Sequence, residues 1–407
     1  MGGKAERYFI PAAIGFAPFV LLLLTWAPHA RSHAQELILD FYAPVVAVEL
    51  FTIAVALREG MIGALRRRSW PRLPTAALVL LIVIAIGTAI VAPDPGTARI
   101  ATFYWLLHLL FGFSVAHLCA VRFWPLDLVV AYLIGFAAFL AGSILFTAQV
   151  TDPNFNWTNG WPAAAHIRHL GYYIAAMVAL CIGLAATERR AWVLGGLFVL
   201  SVASFAFALW TGSRGTVVGV VGAVIIGLLI LPQIRRPQAW GGAALSLILG
   251  AAIARLFPAP ASNMGFGRTV TATVDHEVTT GRTTIWRNVL GAIRHRPLLG
   301  YGEDQMATVA PFHGIIQTHD VFLQVLLAWG AVGFACVLVL AVWFVARSLP
   351  NVRHDGAGLL PPFMAMLALA SFATIDGALF HLIPVSIFAA CAGVIASGWH
   401  VPETRAP

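Results

Sequence analysis

Residues 189–236 read RRAWVLGGLFVLSVASFAFALWTGSRGTVVGVVGAVIIGLLILPQIRR. Two strongly apolar blocks, 191–210 and 215–231, flank the turn TGSRG (211–215), and an arginine pair closes each outer end. A bilayer core is crossed by a helix of roughly 17–25 apolar residues. The stretch therefore reads as two spans joined by a hairpin turn, with Arg189 and Arg190 on the same side as Arg235 and Arg236.

The same pattern extends in both directions. Apolar runs at about 8–27, 37–57, 75–92, 100–121, 127–150, 168–186, 240–257, 319–346, 359–375 and 378–398 bring the expectation to twelve spans. Composition agrees. The 407 residues are 60% hydrophobic and 10% charged, where a soluble domain carries about 25% charged residues. The fold class is all-α, a polytopic membrane protein forming one integral domain over 1–407. The first span follows only MGGKAERY, with no small-residue cleavage site, and reads as a retained helix. Cys119, Cys181, Cys336 and Cys391 each fall inside an apolar run, so no disulfide framework is implied.

The net charge of +8 reads as membrane orientation before it reads as nucleic-acid binding. Lys4 is the only lysine. Arginines fill alternate loops: Arg58, Arg66, Arg67, Arg68 and Arg72; Arg189 and Arg190; Arg235 and Arg236; Arg347 and Arg353. Positive loops stay inside, which puts both termini in the cytoplasm. Loop 151–169, the TGSRG turn and the long loop 258–318 then lie outside. The long loop carries five arginines against that trend, and anion binding supplies a reason.

Charge concentrates in 281–333, and a membrane protein that does this has grounds to place its chemistry there. A helix over about 282–295 sets Trp286, Val289, Leu290 and Ile293 on one side and Arg287 and Arg294 on another, as an interfacial helix would. Arg214, held at the membrane surface by the TGSRG turn, either anchors a helix end or binds an anion; Gly212 and Gly215 would let backbone N–H groups approach it. Arg282, opening the loop helix, is either a solvated residue or an anion ligand at a helix N-terminus. Arg287, Arg294 and Arg296 could bind lipid phosphates. His319 begins a span at the outer boundary and is either structural or a general base. Asp320 either orients it or caps the helix.

Arg168 and His169 sit at another outer boundary. His166 and His169 share a helix face and could hold a metal, though no carboxylate or cysteine is near. Trp157 and Trp161, among Asn154, Asn156 and Asn159, suit sugar stacking or an aromatic belt. P-loop, GxSxG, HExxH and DxD motifs are absent. Phosphate chemistry would rest on arginines.

As an ordered set these residues resemble the O-antigen ligase and polymerase superfamily. The set is SRG at a span end, Arg282-x-x-x-Trp286, RPLLGYG (296–302), then His319 followed by Leu323-Gln324 and Trp329-Gly330. The specific resemblance covers 211–333. It implies a GT-C-like fold in the bacterial inner membrane. It also implies transfer of a polysaccharide from undecaprenyl diphosphate to an acceptor hydroxyl on the periplasmic face, inverting, with no metal or other cofactor. Arg214 and Arg282 would match the family's diphosphate-binding arginines, and His319 the histidine that activates the acceptor. Asp320 stands where the family has Asn. Arg168 matches no motif.

The implied partners are the undecaprenyl-diphosphate-linked polysaccharide, lipid A–core or another glycan acceptor, and membrane lipid, with no nucleic acid. A surface-polysaccharide polymerase is the alternative, and a protein-directed oligosaccharide transferase ranks third. From another class, a twelve-span transporter would show repeat symmetry and mid-membrane polar residues. Here no repeat is apparent, and Glu49 and Asp127 were expected near span ends.

Overall fold

A computed structural model describes residues 2–27, 32–261, 264–265, 282–311, 315–355 and 358–400. Helix dominates, and no strand occurs among the described residues. The helices are α1 (Gly2–Leu24), α2 (His33–Asp40), α3 (Ala43–Arg58), α4 (Met61–Arg67), α5 (Arg72–Ile90), α6 (Pro95–Val121), α7 (Pro125–Gln149) and α8 (Leu170–Ala185). They continue with α9 (Ala191–Trp210), α10 (Arg214–Ile230), α11 (Pro237–Leu256), α12 (Arg282–His295), α13 (Met306–Val309), α14 (Val321–Asp355), α15 (Leu360–Ala373) and α16 (Leu382–Ser397).

Each of the twelve apolar runs is occupied by helix. Among the described residues eight helices are long and apolar enough to cross a membrane alone; α2 and α3, bent by 47°, make a ninth span. The bend was not expected within 37–57. Its cause is Pro44, which cannot continue a helix from Phe41, and Tyr42 takes φ 45 at the break. The chain is a multi-pass membrane protein.

The helices solvated by protein differ from those left for lipid. Every residue from Leu170 to Leu184 of α8 is buried, and α15 is nearly as enclosed. These two pack on each other, with α10 against both. Around them run the pairs α1–α7, α9–α11, α6–α16 and α5–α14. Apolar residues stay exposed on the outer helices, among them Leu73, Val83, Ile248 and Leu256, as a lipid-facing surface requires. Where α1 crosses α7, a Cβ on Gly135 would meet the Gly15 backbone, the close approach typical of membrane helix pairs.

The arginine loops share one end of this bundle. Arg236 donates to the carbonyl of Ala186 (2.9 Å), and Arg353 to that of Ile230 (2.9 Å). These guanidinium groups satisfy carbonyls that helix ends leave unpaired. At the same end Arg7 pairs with Asp127 (2.8 Å), which opens α7 as expected. Glu49 departs from expectation. It lies well inside α3, fully buried, with Oε1 2.9 Å from His108 Nδ1 of α6.

Candidate functional site

Three apolar helices fall short of a full span: α10, α15 and α16, with 17, 14 and 16 residues. Their ends meet. Gly215 of α10 leaves no room for a Cβ because the Phe372 ring of α15 fills that space. Phe372 stacks edge-on against Tyr172 of α8, 4.8 Å between centroids. Asp376 follows in TIDGALFH (374–381), the link between α15 and α16, where its N–H bonds the Phe372 carbonyl. Irregular backbone at such depth is tolerated where protein covers it or a polar cavity is lined.

His319 is the strained point of this region. Its φ of 53 is left-handed, which costs a non-glycine residue about 1–2 kcal/mol. The peptide before it is held from two sides: Trp286 Nε1–H donates to Thr318 O (3.0 Å), and Gln324 Oε1 accepts from Thr318 N–H (3.2 Å). Thr318 Oγ1–H donates to Asp320 O (2.7 Å). Conserving such strain needs surroundings that over-determine it. Trp286 and Gln324, two of the spaced residues quoted above, provide that.

Of the two readings open for Asp320, the geometry gives the cap. Its Oδ1 accepts from Leu323 N–H (2.9 Å) at the start of α14. The residue that orients His319 is Asp376, which sequence reasoning missed. Asp376 Oδ1 lies 2.6 Å from His319 Nδ1, and its Oδ2 3.3 Å from Arg282 Nη2. Gly377 N–H adds a third bond to Oδ1 (2.8 Å). Burial opposes ionisation of Asp376. The His319 hydrogen bond and the nearby charges of His319 and Arg282 outweigh it, holding the carboxyl well below its usual range. An ionised carboxylate only accepts, so His319 Nδ1 is the donor and Nε2 remains as the basic nitrogen.

Arg214 stands half-buried at the first position of α10, and its guanidinium makes no hydrogen bond or ion pair with a described residue. Of the two glycines beside it, Gly212 does not offer its backbone donor, contrary to expectation. Gly212 takes φ 78, and the N–H groups of Gly212, Ser213 and Arg214 are spent on carbonyls of Leu209, Ala208 and Gly212. The turn is pinned to α8 instead: Thr216 Oγ1–H donates to Gly171 O (3.1 Å), and Ser213 Oγ–H to Arg168 O (3.5 Å). Arg168 thus meets the site through its backbone.

His169 does join the cluster, by stacking. Its ring lies 4.0 Å from that of His381 and 5.6 Å, nearly parallel, from Tyr172. Tyr172 in turn lies beside Asp376. His381, unforeseen from sequence, closes the stack. His166 is occupied in its own turn, accepting from Arg168 N–H (3.1 Å). Among the described residues no group of three or more His, Cys, Asp or Glu side chains is placed to hold a metal.

Other expectations need correction. Arg287 is exposed on α12 and bonded to no described residue, so it is not brought to His319. The apolar face of α12 consists of Ile285, Val289 and Ala292, packed on Met306, Ala310 and Leu327; Leu290 is 45% exposed. That face is therefore covered by α13 and α14 and not free for the interface. Trp161 is wholly buried among Phe146, Phe207, Trp157 and Trp210, beyond the reach of a sugar. His276, Gly281 and His313 lie outside the described residues.

A basic imidazole nitrogen, a carboxylate fixing it, one arginine on that carboxylate and another uncommitted nearby form a site suited to activating a hydroxyl beside an anion. No curated protein matches the chain. A family model described as O-antigen ligase matches residues 199–338, which hold Arg214, Arg282, RPLLGYG and His319. Over that stretch the chain is similar to the O-antigen ligase family.

Proposed function

We propose that the chain is an O-antigen ligase-type glycosyltransferase of the bacterial inner membrane. Its donor is a polysaccharide on undecaprenyl diphosphate, its acceptor lipid A–core, and transfer takes place on the periplasmic face. The observation that carries this is the His319–Asp376–Arg282 set, closed around one carboxylate at the end of the bundle away from the arginine loops.

In this reading the acceptor hydroxyl attacks the anomeric carbon from the face opposite the diphosphate. Its proton passes to His319 Nε2 as the new C–O bond forms. The bond from the anomeric carbon to the diphosphate oxygen breaks, and undecaprenyl diphosphate leaves with the electron pair. Charge grows on the leaving group, and fixed guanidinium groups stabilise it without reorganising. Arg214 and Arg282 take that role. Asp376 holds the proton of the neutral imidazole on Nδ1, so that Nε2 is the aimed, basic nitrogen, and balances the imidazolium that forms. The membrane delivers the prenyl donor from the side.

The test is a strain lacking the gene, complemented with the native protein or with His319→Ala. Bare core lipopolysaccharide with accumulated lipid-linked polymer, restored by the native protein alone, is the expected result. Core capped by a single repeat would make the chain a polymerase. An unchanged polysaccharide profile would overturn both.

A further inference from the structure

The first turns of α14 do not run on into the rest of the helix. Gly330 takes φ 63 and ψ −169, and the helix breaks there. A break strands carbonyls before it and N–H groups after it. The segment 297–302 takes up both sets. Tyr301 N–H donates to Leu327 O (2.9 Å) and Gly302 N–H to Ala328 O (2.8 Å). Ala331 N–H donates to Pro297 O (2.8 Å) and Val332 N–H to Leu298 O (3.1 Å). The half-helix 321–329 is thereby tied to RPLLGYG by its backbone.

The next residues fasten that turn to the rest of the bundle. Gln305 clamps the residue that caps α6: its Oε1 accepts from Asp94 N–H (2.8 Å), and its Nε2 donates to Asp94 O (3.1 Å). Glu303 turns inward, 4% exposed, with its carboxyl beside Trp105 of α6. Its Oε2 has no partner, and among the described residues no cation pairs with it. Trp105 packs edge-on against Trp329, the residue before the break (5.7 Å), and against Phe380 in the Asp376 link (6.1 Å). Phe380 O accepts from Gln317 Nε2 (3.4 Å), two residues before His319.

A buried carboxylate with no counter-ion is costly, and such a group keeps its proton instead. Burial, with a smaller push from Asp304, raises Glu303 to about 8. Asp304 is itself raised to about 6 by burial and by Asp94. Asp304, beside it in the turn, disfavours ionisation of Glu303, and Asp94 on the α6 cap does the same to Asp304.

We propose that Glu303 is a positioning residue: as the neutral acid against Trp105 it fastens the 297–305 turn, and through it the half-helix that holds His319, and its ionisation loosens that fastening. The proposal rests on the reading of His319 as the base. The path is short. Leu327 and Ala328 receive the turn's N–H groups, and one helical turn back Gln324 and the Asp320 cap fix Thr318 and His319.

The experiment compares the purified native protein in nanodiscs with Glu303→Gln and Glu303→Ala, with transfer from lipid-linked donor to acceptor followed from pH 6 to 9.5. The native kcat should fall above about pH 8, approaching tenfold per pH unit. Glu303→Gln should stay within about threefold of native kcat at pH 7 and lose that fall, with KM for the donor unchanged. Glu303→Ala should lose tenfold or more in kcat at every pH. An alkaline fall that persists in Glu303→Gln, or a native-like Glu303→Ala, overturns the proposal.

A second readout does not need activity. Between the ordinary carboxyl range and about pH 8 the folded native protein keeps a proton that the unfolded chain has lost, so its stability declines with rising pH. The unfolding midpoint of Glu303→Gln relative to native should therefore climb from pH 5 to 8 and then level off. A flat difference overturns the proposal. A climbing difference in a protein with no transfer activity would sink the transferase reading and leave the fastening intact. Should Glu303→Gln not fold, the native midpoint alone must decline over the same interval or the proposal fails.

Discussion

At the scale of single residues, one carboxylate organises the site. Asp376 receives His319, Arg282 and the Gly377 amide. Asp376→Asn keeps the shape and removes the charge, so Nδ1 of His319 loses its fixed acceptor and Arg282 its counter-ion. Transfer by the purified variant should drop by about 10²–10⁴-fold in kcat, the scale on which a histidine base depends on its orienting carboxylate. Because Asp376 is held below the usual carboxyl range, its contribution is complete above about pH 4 and is lost only as pH falls further. The stability advantage of native over Asp376→Asn should thus shrink as pH falls from about 4 towards 2, where Asp376 takes up its proton; an advantage unchanged over that interval would contradict an ionised Asp376. His319 and Arg214 could be singled out because each stands at the edge of an apolar run, and Arg282 because it opens the loop helix. Asp376 could not be, for it is 57 residues from His319 in a link of eight residues between spans. The available signal was that it is the only charge in TIDGALFH (374–381), on the side of the bundle where the chemistry was expected.

At the scale of elements, the break in α14 is built from two glycines whose roles differ from ordinary flexibility. Gly330 occupies a region of φ and ψ open essentially to glycine alone, and a Cβ there would strike the Leu298 backbone. Gly300, at φ 70, would set a Cβ 2.5 Å from Leu327 O. Each side of the joint thus presents a bare backbone to the other. Gly330→Ala should cost about 1–3 kcal/mol from strain alone, with the clash in addition, and should lower the detergent unfolding midpoint and kcat together. Gly291, inside α12 with nothing within 4 Å of a Cβ, is the control. Gly291→Ala should be neutral or stabilising by about 0.5–1 kcal/mol. Equal losses in both variants would mean that the joint is not special. The sequence displays RPLLGYG and Trp329-Gly330 as separate marks. Their pairing comes from backbone hydrogen bonds between segments about 30 residues apart, to which side-chain periodicity is blind.

At the scale of the whole molecule, apolar run length was enough to locate all twelve helical segments, since a bilayer constrains length more tightly than any other solvent does. It could not foresee that α10, α15 and α16 stop short, because their ends are set by what they meet: Gly215 against Phe372, and the Asp376 link against Gln317. The Trp and Asn composition of the 151–161 loop likewise could not foresee that Trp161 is buried, which comes from packing of that loop against α9. The orientation of the bundle is a separate matter, carried by arginine asymmetry. Arginines close one end, and the His319 site lies at the other. By the positive-inside rule the arginine end is expected in the cytoplasm and the site in the periplasm. Two exposed positions at opposite ends report on this: Arg67, the last residue of α4, and Thr308, in α13. With Cys119, Cys181, Cys336 and Cys391 replaced, Thr308→Cys should react in intact cells with a thiol reagent that does not cross the inner membrane. Arg67→Cys should react only after the membrane is opened. Both outcomes reversed would put the site in the cytoplasm, where an acceptor on the periplasmic surface could not reach His319, and the proposed reaction would have to be abandoned with the topology.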